Sequence, residues 1–375
     1  MYHTVGGILV LLLTLPACGY QDKNEEKPTT PEQQYQALLK EQSDAMTAFQ
    51  KAYQQAKTQE ERNKLIAQKY PKAEKAAPKF VELAEKNPKS PVAVDALIWV
   101  VTRVNTTEED SPRTKAVDLL LRDHVQSEKI GQVCQSLVYS YGPKETKLLH
   151  AILDKNPSKD AQAEACLVLG EQSGRAALLL RLHGDQSDMV EQYEQFLGKE
   201  IVEGLRKKGP EKLEAESVRY YKDFGSKYAP QMKADKLTQL CQRLGQSGDC
   251  GAEPLLRMLL EKDTRRDVQG VACLALAQSL KALADGFPES KANDADKMLK
   301  ESEALFERVT TKYADVKAPR GGKIGEKAES NLYEVRHLSI GREAPEIAGE
   351  DADSKKFKLS DYRGKVVLLD FWGNW

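Results

Sequence analysis

The chain has 375 residues, with Lys+Arg 56 against Asp+Glu 57 and a net charge of −1. That length allows two or three domains with full cores, and the charge balance removes the basic footprint of a nucleic-acid binder, so no nucleic-acid partner is expected. Hydrophobic residues make up 40% and charged residues 30% in short alternations, with aromatics at only 7%, a mix that speaks for amphipathic helices and excludes an all-β fold.

From the N-terminus, Val5 to Leu15 is an apolar run, too short for the roughly 20 residues a spanning helix needs, and it ends in Leu15-Pro16-Ala17-Cys18. A signal-peptide core followed by a small residue and a cysteine resembles the lipobox of bacterial lipoproteins. That resemblance implies a signal peptide over 1–17, lipid on Cys18 and attachment to a membrane of the cell envelope. An ordinary cleaved signal, and a retained anchor or a mis-called start, are the other readings. Residues 18–30, polar and rich in Lys, Glu, Thr and Pro, read as a tether.

Thr30-Pro31-Glu32-Gln33 combines an N-cap, a proline at the first helical position and a capping-box glutamine, so a long helix is expected from Pro31. Thr58-Gln59-Glu60-Glu61 repeats the signal. Prolines at Ser90-Pro91, Ser111-Pro112, Gly142-Pro143 and Gly209-Pro210 each precede apolar residues spaced by three and four. Twelve to fourteen helices are expected over 31–337, with no strand among them.

Sliding the sequence by 107 residues aligns 134–169 with 241–276 without a gap, with 14 identities in 36 positions. Shared residues include Leu148 with Leu255, Leu149 with Leu256, Cys166 with Cys273 and Leu169 with Leu276. These fall on helical stripes. Together with shorter echoes resembling tetratricopeptide helix ends, they predict a mainly α, α-solenoid-like helical-repeat domain over 31–337. Such arrays present a surface to a protein partner or act as spacers.

An envelope compartment permits disulfides, and the repeat makes Cys134 with Cys166 and Cys241 with Cys273 symmetrical candidates. The favoured reading is that these cysteines are small buried residues on apolar faces, as in Ala165-Cys166-Leu167 and Ala272-Cys273-Leu274. Cys250, in Gly248-Asp249-Cys250-Gly251, reads as a free thiol. None forms a C-x-x-C. Five His far apart in sequence offer no metal spacing, so no metal is expected. Gly245-Gln246-Ser247-Gly248 misses the nucleophile-elbow spacing, and Arg320-Gly321-Gly322-Lys323 lacks the P-loop spacing.

After residue 337 the composition changes. Ile340-Gly341-Arg342-Glu343-Ala344-Pro345 leads through an acidic turn to Leu359-Ser360-Asp361-Tyr362-Arg363-Gly364-Lys365, and then to Val366-Val367-Leu368-Leu369-Asp370-Phe371-Trp372. The apolar, β-branched run Val366 to Leu369 predicts a strand buried on both faces. This order, closed by Trp375, resembles the opening of thioredoxin-fold redoxins, particularly TlpA/ResA-like envelope thiol–disulfide oxidoreductases. Ser354 stands where that family's hairpin carries glycine.

The resemblance implies an incomplete thioredoxin-like α/β domain over 338–375, no cofactor, and protein thiols or disulfides as substrates. In the family, the second tryptophan of F-W-x-x-W is followed by a C-x-x-C whose first thiol attacks disulfides. Asp370 matches the buried acid that assists proton transfer with the resolving thiol, and Trp375 matches the aromatic wall beside the nucleophile. The expectation is a redoxin-family envelope lipoprotein cut before its C-x-x-C and inactive as a 375-residue chain. The rival readings are a protein-binding scaffold with a vestigial redoxin tail and a peroxiredoxin-like peroxidase fragment.

Overall fold

A computed structural model describes residues 29–106, 108–183, 187–247, 249, 251–286, 292–339, 342–351 and 353–371. Its helices follow the capping chemistry. Helix α1 (Pro31–Gln55) and α2 (Gln59–Lys69) both start with a complete capping box, Thr30 with Gln33 and Thr58 with Glu61. After α3 (Ala73–Lys86), the serines of the two Ser-Pro pairs cap α4 (Pro91–Arg103) and α5 (Pro112–Asp123) through their hydroxyls.

A 3-10 segment over Glu128–Leu137 leads to α6 (Pro143–Lys155), α7 (Lys159–His183), α8 (Ser187–Leu197), α9 (Lys199–Lys208) and α10 (Pro210–Lys227). Then come α11 (Ala234–Ser247), α12 (Glu253–Lys262), α13 (Arg266–Asp285), α14 (Ala292–Lys312) and α15 (Ile324–His337). The protein is mainly helical, with fifteen α-helices among the described residues, slightly more than the expected range. The only ladder contact among the described residues of 31–337 is an isolated bridge between Lys317 and Lys323.

One large apolar core runs from Ala76 to Val335. Helices α4 and α13 are buried on nearly all sides, which is why their sequences lack a polar stripe. The two aligned segments carry the same local hydrogen bonds. Asn156 Oδ1 accepts from Ser158 N at 2.8 Å and Asp263 Oδ1 from Arg265 N at 2.9 Å, while Gln162 and Gln269 donate to the Asn156 and Asp263 carbonyls at 2.7 Å each.

The correspondence extends past the stretch that aligns without a gap. Cys166 donates to the Tyr220 carbonyl and Cys273 to the Leu305 carbonyl, while Ser217 and Ser302 donate to the Gly170 and Ala277 carbonyls at 2.8 Å each. Helix α10 therefore stands on α7 as α14 stands on α13, but at an offset of 85 residues instead of 107. Helices α8 and α9 take up the difference. They have no counterpart between α13 and α14, and the ungapped alignment stops before them.

Beyond α15, β1 (Ala348–Glu350) and β2 (Lys356–Lys358) form an antiparallel hairpin in which Gly349 faces Phe357. The expected strand over Val366–Leu369 is not formed: 366–371 has no regular structure and no ladder partner, with Val366, Leu368 and Phe371 more than four-fifths exposed. A continuous apolar strand is stable only when flanking strands take its backbone groups and helices cover both faces, and one short hairpin supplies neither.

Candidate functional site

The segment from 342 onward is held by local bonds. The hairpin turn is built around Asp351, whose Oδ1 accepts from Asp353 N and Lys355 N at 3.0 and 2.9 Å. Ser354 lies at φ 62°. This left-handed conformation suits glycine and costs a β-carbon-bearing residue about 1–2 kcal/mol, which is the physical content of the departure at that position. The Leu359 N–H donates to the Ile347 carbonyl at 2.8 Å, and Glu346 accepts from the Ser360 N–H at 3.0 Å and its hydroxyl at 2.5 Å. Those two bonds hold the Glu346 carboxyl below the usual carboxylate range. Arg363 pairs with Glu343 at 3.0 Å.

Asp370 is exposed on the irregular segment, so the burial its family match implies is not present. A carboxylate at that place is shielded only by neighbouring strands and a covering helix. Trp375 and Cys18 lie outside the described residues, as does Cys250.

Cys134, Cys166, Cys241 and Cys273 are all free and buried. The candidate pairs Cys134 with Cys166 and Cys241 with Cys273 are not formed in this structure. Cys166 and Cys273 are committed as donors to helix carbonyls, and Cys134 and Cys241 sit at 0% exposure. Burial pushes Cys166 and Cys241 up to about 12, Cys273 up to about 11 and Cys134 higher still. Thiols so far from ionisation are inert. The native chain is therefore expected to leave these four unlabelled by iodoacetamide at pH 8, with all four labelled after denaturation. Peptide mass spectrometry reads this, and labelling of any of them in the native chain contradicts it.

A buried polar cluster is the feature that sequence reasoning missed. Asp249 is 1% exposed, accepting from the Tyr221 hydroxyl at 2.6 Å and from Gly251 N at 2.9 Å. Gly174 makes room for it, because a β-carbon there would sit 1.9 Å from Asp249 Oδ1. Burial raises the Asp249 carboxyl to about 6 despite those bonds. Nearby, Glu171 is 2% exposed, bonded to Arg243 at 2.5 Å with Arg175 at 3.9 Å. Burial raises it as well. No signal in Gly248-Asp249-Cys250-Gly251 marks an acid that folding will bury. Among the described residues, no three His, Cys, Asp or Glu are grouped to hold a metal ion.

No protein-family model matches the chain, and no solved structure matches it. Part of it is similar to the thiol-disulfide oxidoreductase ResA of several bacilli. The protein from Bacillus thuringiensis subsp. konkukian is 47% identical over 38 residues, covering 10% of this chain and 22% of the relative. That from Geobacillus thermodenitrificans is 42% identical over 53 residues, covering 14% and 30%. That from Bacillus subtilis is 47% identical over 38 residues, covering 10% and 21%. The chain thus spans about a fifth to a third of the length of these curated relatives. The similarity supports a relationship to the thiol–disulfide oxidoreductases at the level of the family.

Proposed function

We propose that the chain is an envelope lipoprotein of the thioredoxin-like thiol–disulfide oxidoreductase family, with an α-solenoid-like helical-repeat domain over 31–337 and the first part of a redoxin domain over 338–375. The observation that carries the redox reading is the similarity to ResA, which agrees with the order of motifs from Ile340 to Trp375. The matching hydrogen bonds of the two aligned segments support the repeat. Among the described residues no helix is long and apolar enough to cross a membrane. Lipid on Cys18 is the proposed attachment.

The proposed substrates are protein thiols or disulfides. Asp370 is assigned the proton transfer with the resolving thiol and Trp375 the wall beside the nucleophile, both within a completed sheet. The 375 residues hold no C-x-x-C. They are therefore expected to reduce insulin disulfides with dithiothreitol no faster than buffer does. Fusing the rest of a ResA-type domain after Trp375, C-x-x-C included, is expected to raise the rate at least about tenfold. Reduction above background by the 375-residue chain contradicts the proposal.

A second reading, a scaffold for a protein partner, is favoured by a groove of about 560 Å³ lined by Gln135, Glu164, Gln239, Gln242, Arg243 and Arg320. Amide and charged side chains on neighbouring helices and on the turn at Arg320 suit an extended polypeptide.

A further inference from the structure

A cavity of about 390 Å³ lies between α6, α7, α9 and α10. The two corresponding segments show how it arises. At the 107-residue offset, Leu280 and Leu283 of the second segment correspond to Ser173 and Ala176 of the first, and both smaller residues line the cavity. Two large side chains are thus missing from the wall, and the space is roofed by α9, the helix with no counterpart. Helix α9 runs between Gly198 and Gly209, both at positive φ, and contributes Ile201, Gly204 and Leu205 to the lining. A β-carbon on Gly204 would meet no atom within 4 Å. Glycine inside a helix weakens it, and here it keeps the roof open.

The wall opposite carries uncommitted polar atoms. The hydroxyls of Tyr141, Thr146 and Ser173 have no hydrogen-bond partner among the described residues. The loop bearing Tyr141 is fixed, because Gln172 Nε2 donates to the Leu137 and Ser140 carbonyls at 2.7 Å each. Burial pushes the Tyr141 phenol up to about 12, so it stays a neutral donor. At the rim Lys208 is taken by Glu216 at 2.5 Å, and Glu200 adds a second carboxylate. That charge disfavours an anion.

We infer that this cavity binds a neutral, mainly apolar small molecule bearing one hydrogen-bonding group, its body under α9 and its polar end at Tyr141 and Ser173. A mostly apolar pocket of this size with a few convergent polar groups has the character of a ligand site. The assignment is independent of the redox reading.

The probe is N-phenyl-1-naphthylamine, a neutral aromatic amine, titrated by fluorescence into the 375-residue chain in detergent-free buffer. Saturable binding at one site per chain is expected. Gly204→Leu fills the cavity while favouring the helix, so it should weaken binding at least about tenfold without lowering the melting temperature. Ser173→Leu, which restores the residue of the second segment, should do the same and decides the matter if Gly204→Leu folds poorly. Phe196→Ser, at an exposed aromatic away from the lining, should leave binding unchanged. Absence of saturable binding, or equal binding by both leucine variants, overturns the site. Equally tight binding of the anionic 1-anilinonaphthalene-8-sulfonate overturns the neutral ligand class.

Discussion

Arg113→Met is expected to lower the stability of the helical domain by about 3–5 kcal/mol, the range for breaking a buried ion pair by removing one partner. Arg113 is 3% exposed in α5, yet its guanidinium reaches three other elements. It donates to the Val101 carbonyl at 3.4 Å, the Ser136 carbonyl at 3.3 Å and the Ser140 hydroxyl at 3.1 Å, and lies 3.6 Å from Glu145. Burial lowers its pKa and Glu145 opposes that shift, so the guanidinium is held against an acid in a nearly dry place.

Removing the cation leaves the Glu145 carboxylate with the N-terminus of α6 and the charge of Lys144 to favour it, and strands the Val101 and Ser136 carbonyls. Arg113→Met with Glu145→Met should recover most of the loss, because the burial penalty leaves with both charges. Urea denaturation followed by far-UV circular dichroism measures both. A single-variant loss under about 1 kcal/mol, or no recovery in the double variant, contradicts the argument. The loop that carries Tyr141 starts at Ser140, so the same pair also sets one wall of the proposed ligand cavity.

Asp249→Asn is expected to change how stability depends on pH. The folded-state pKa is raised to about 6 from the ordinary 3.8, chiefly by burial, while the bonds from Tyr221 and Gly251 oppose the rise. The folded chain therefore holds this proton more tightly than the unfolded chain. The resulting stability is complete below pH about 4 and is lost as pH climbs through about 6. A rise from 3.8 to about 6 corresponds to roughly 3 kcal/mol.

Asparagine does not titrate and keeps one acceptor for Tyr221. Between pH 4 and pH 8 its stability relative to the parent should improve by about 3 kcal/mol, whatever offset the lost second acceptor adds at all pH values. Paired denaturation curves at the two pH values read the difference. Parallel pH profiles for the two proteins would show that Asp249 is not held protonated.

The legible parts of the molecule are those whose physics is local. Threonine and serine caps and prolines at the first helical position act over three or four residues, so the starts of α1, α2, α4, α5, α6 and α10 fall at the residues their sequence signals mark. The turn around Asp351 is equally local, and the cost at Ser354 follows from one dihedral angle. The likeness between the segments beginning at Cys134 and Cys241 is legible as far as it runs without a gap. The insertion of α8 and α9 then conceals that α10 and α14 also correspond.

The remainder depends on groups that meet only when distant helices pack. Nothing in the chain order places Asp249 against Tyr221, or Arg113 against Glu145, and a charged residue in a sequence looks the same whether it is later solvated or buried. The four thiols are buried and unpaired, with Cys166 and Cys273 donating to carbonyls of the helices packed against them. Val366 to Phe371 has a strand's composition but no strand's structure, since a sheet is made of backbone bonds between segments and a propensity supplies only one side of them.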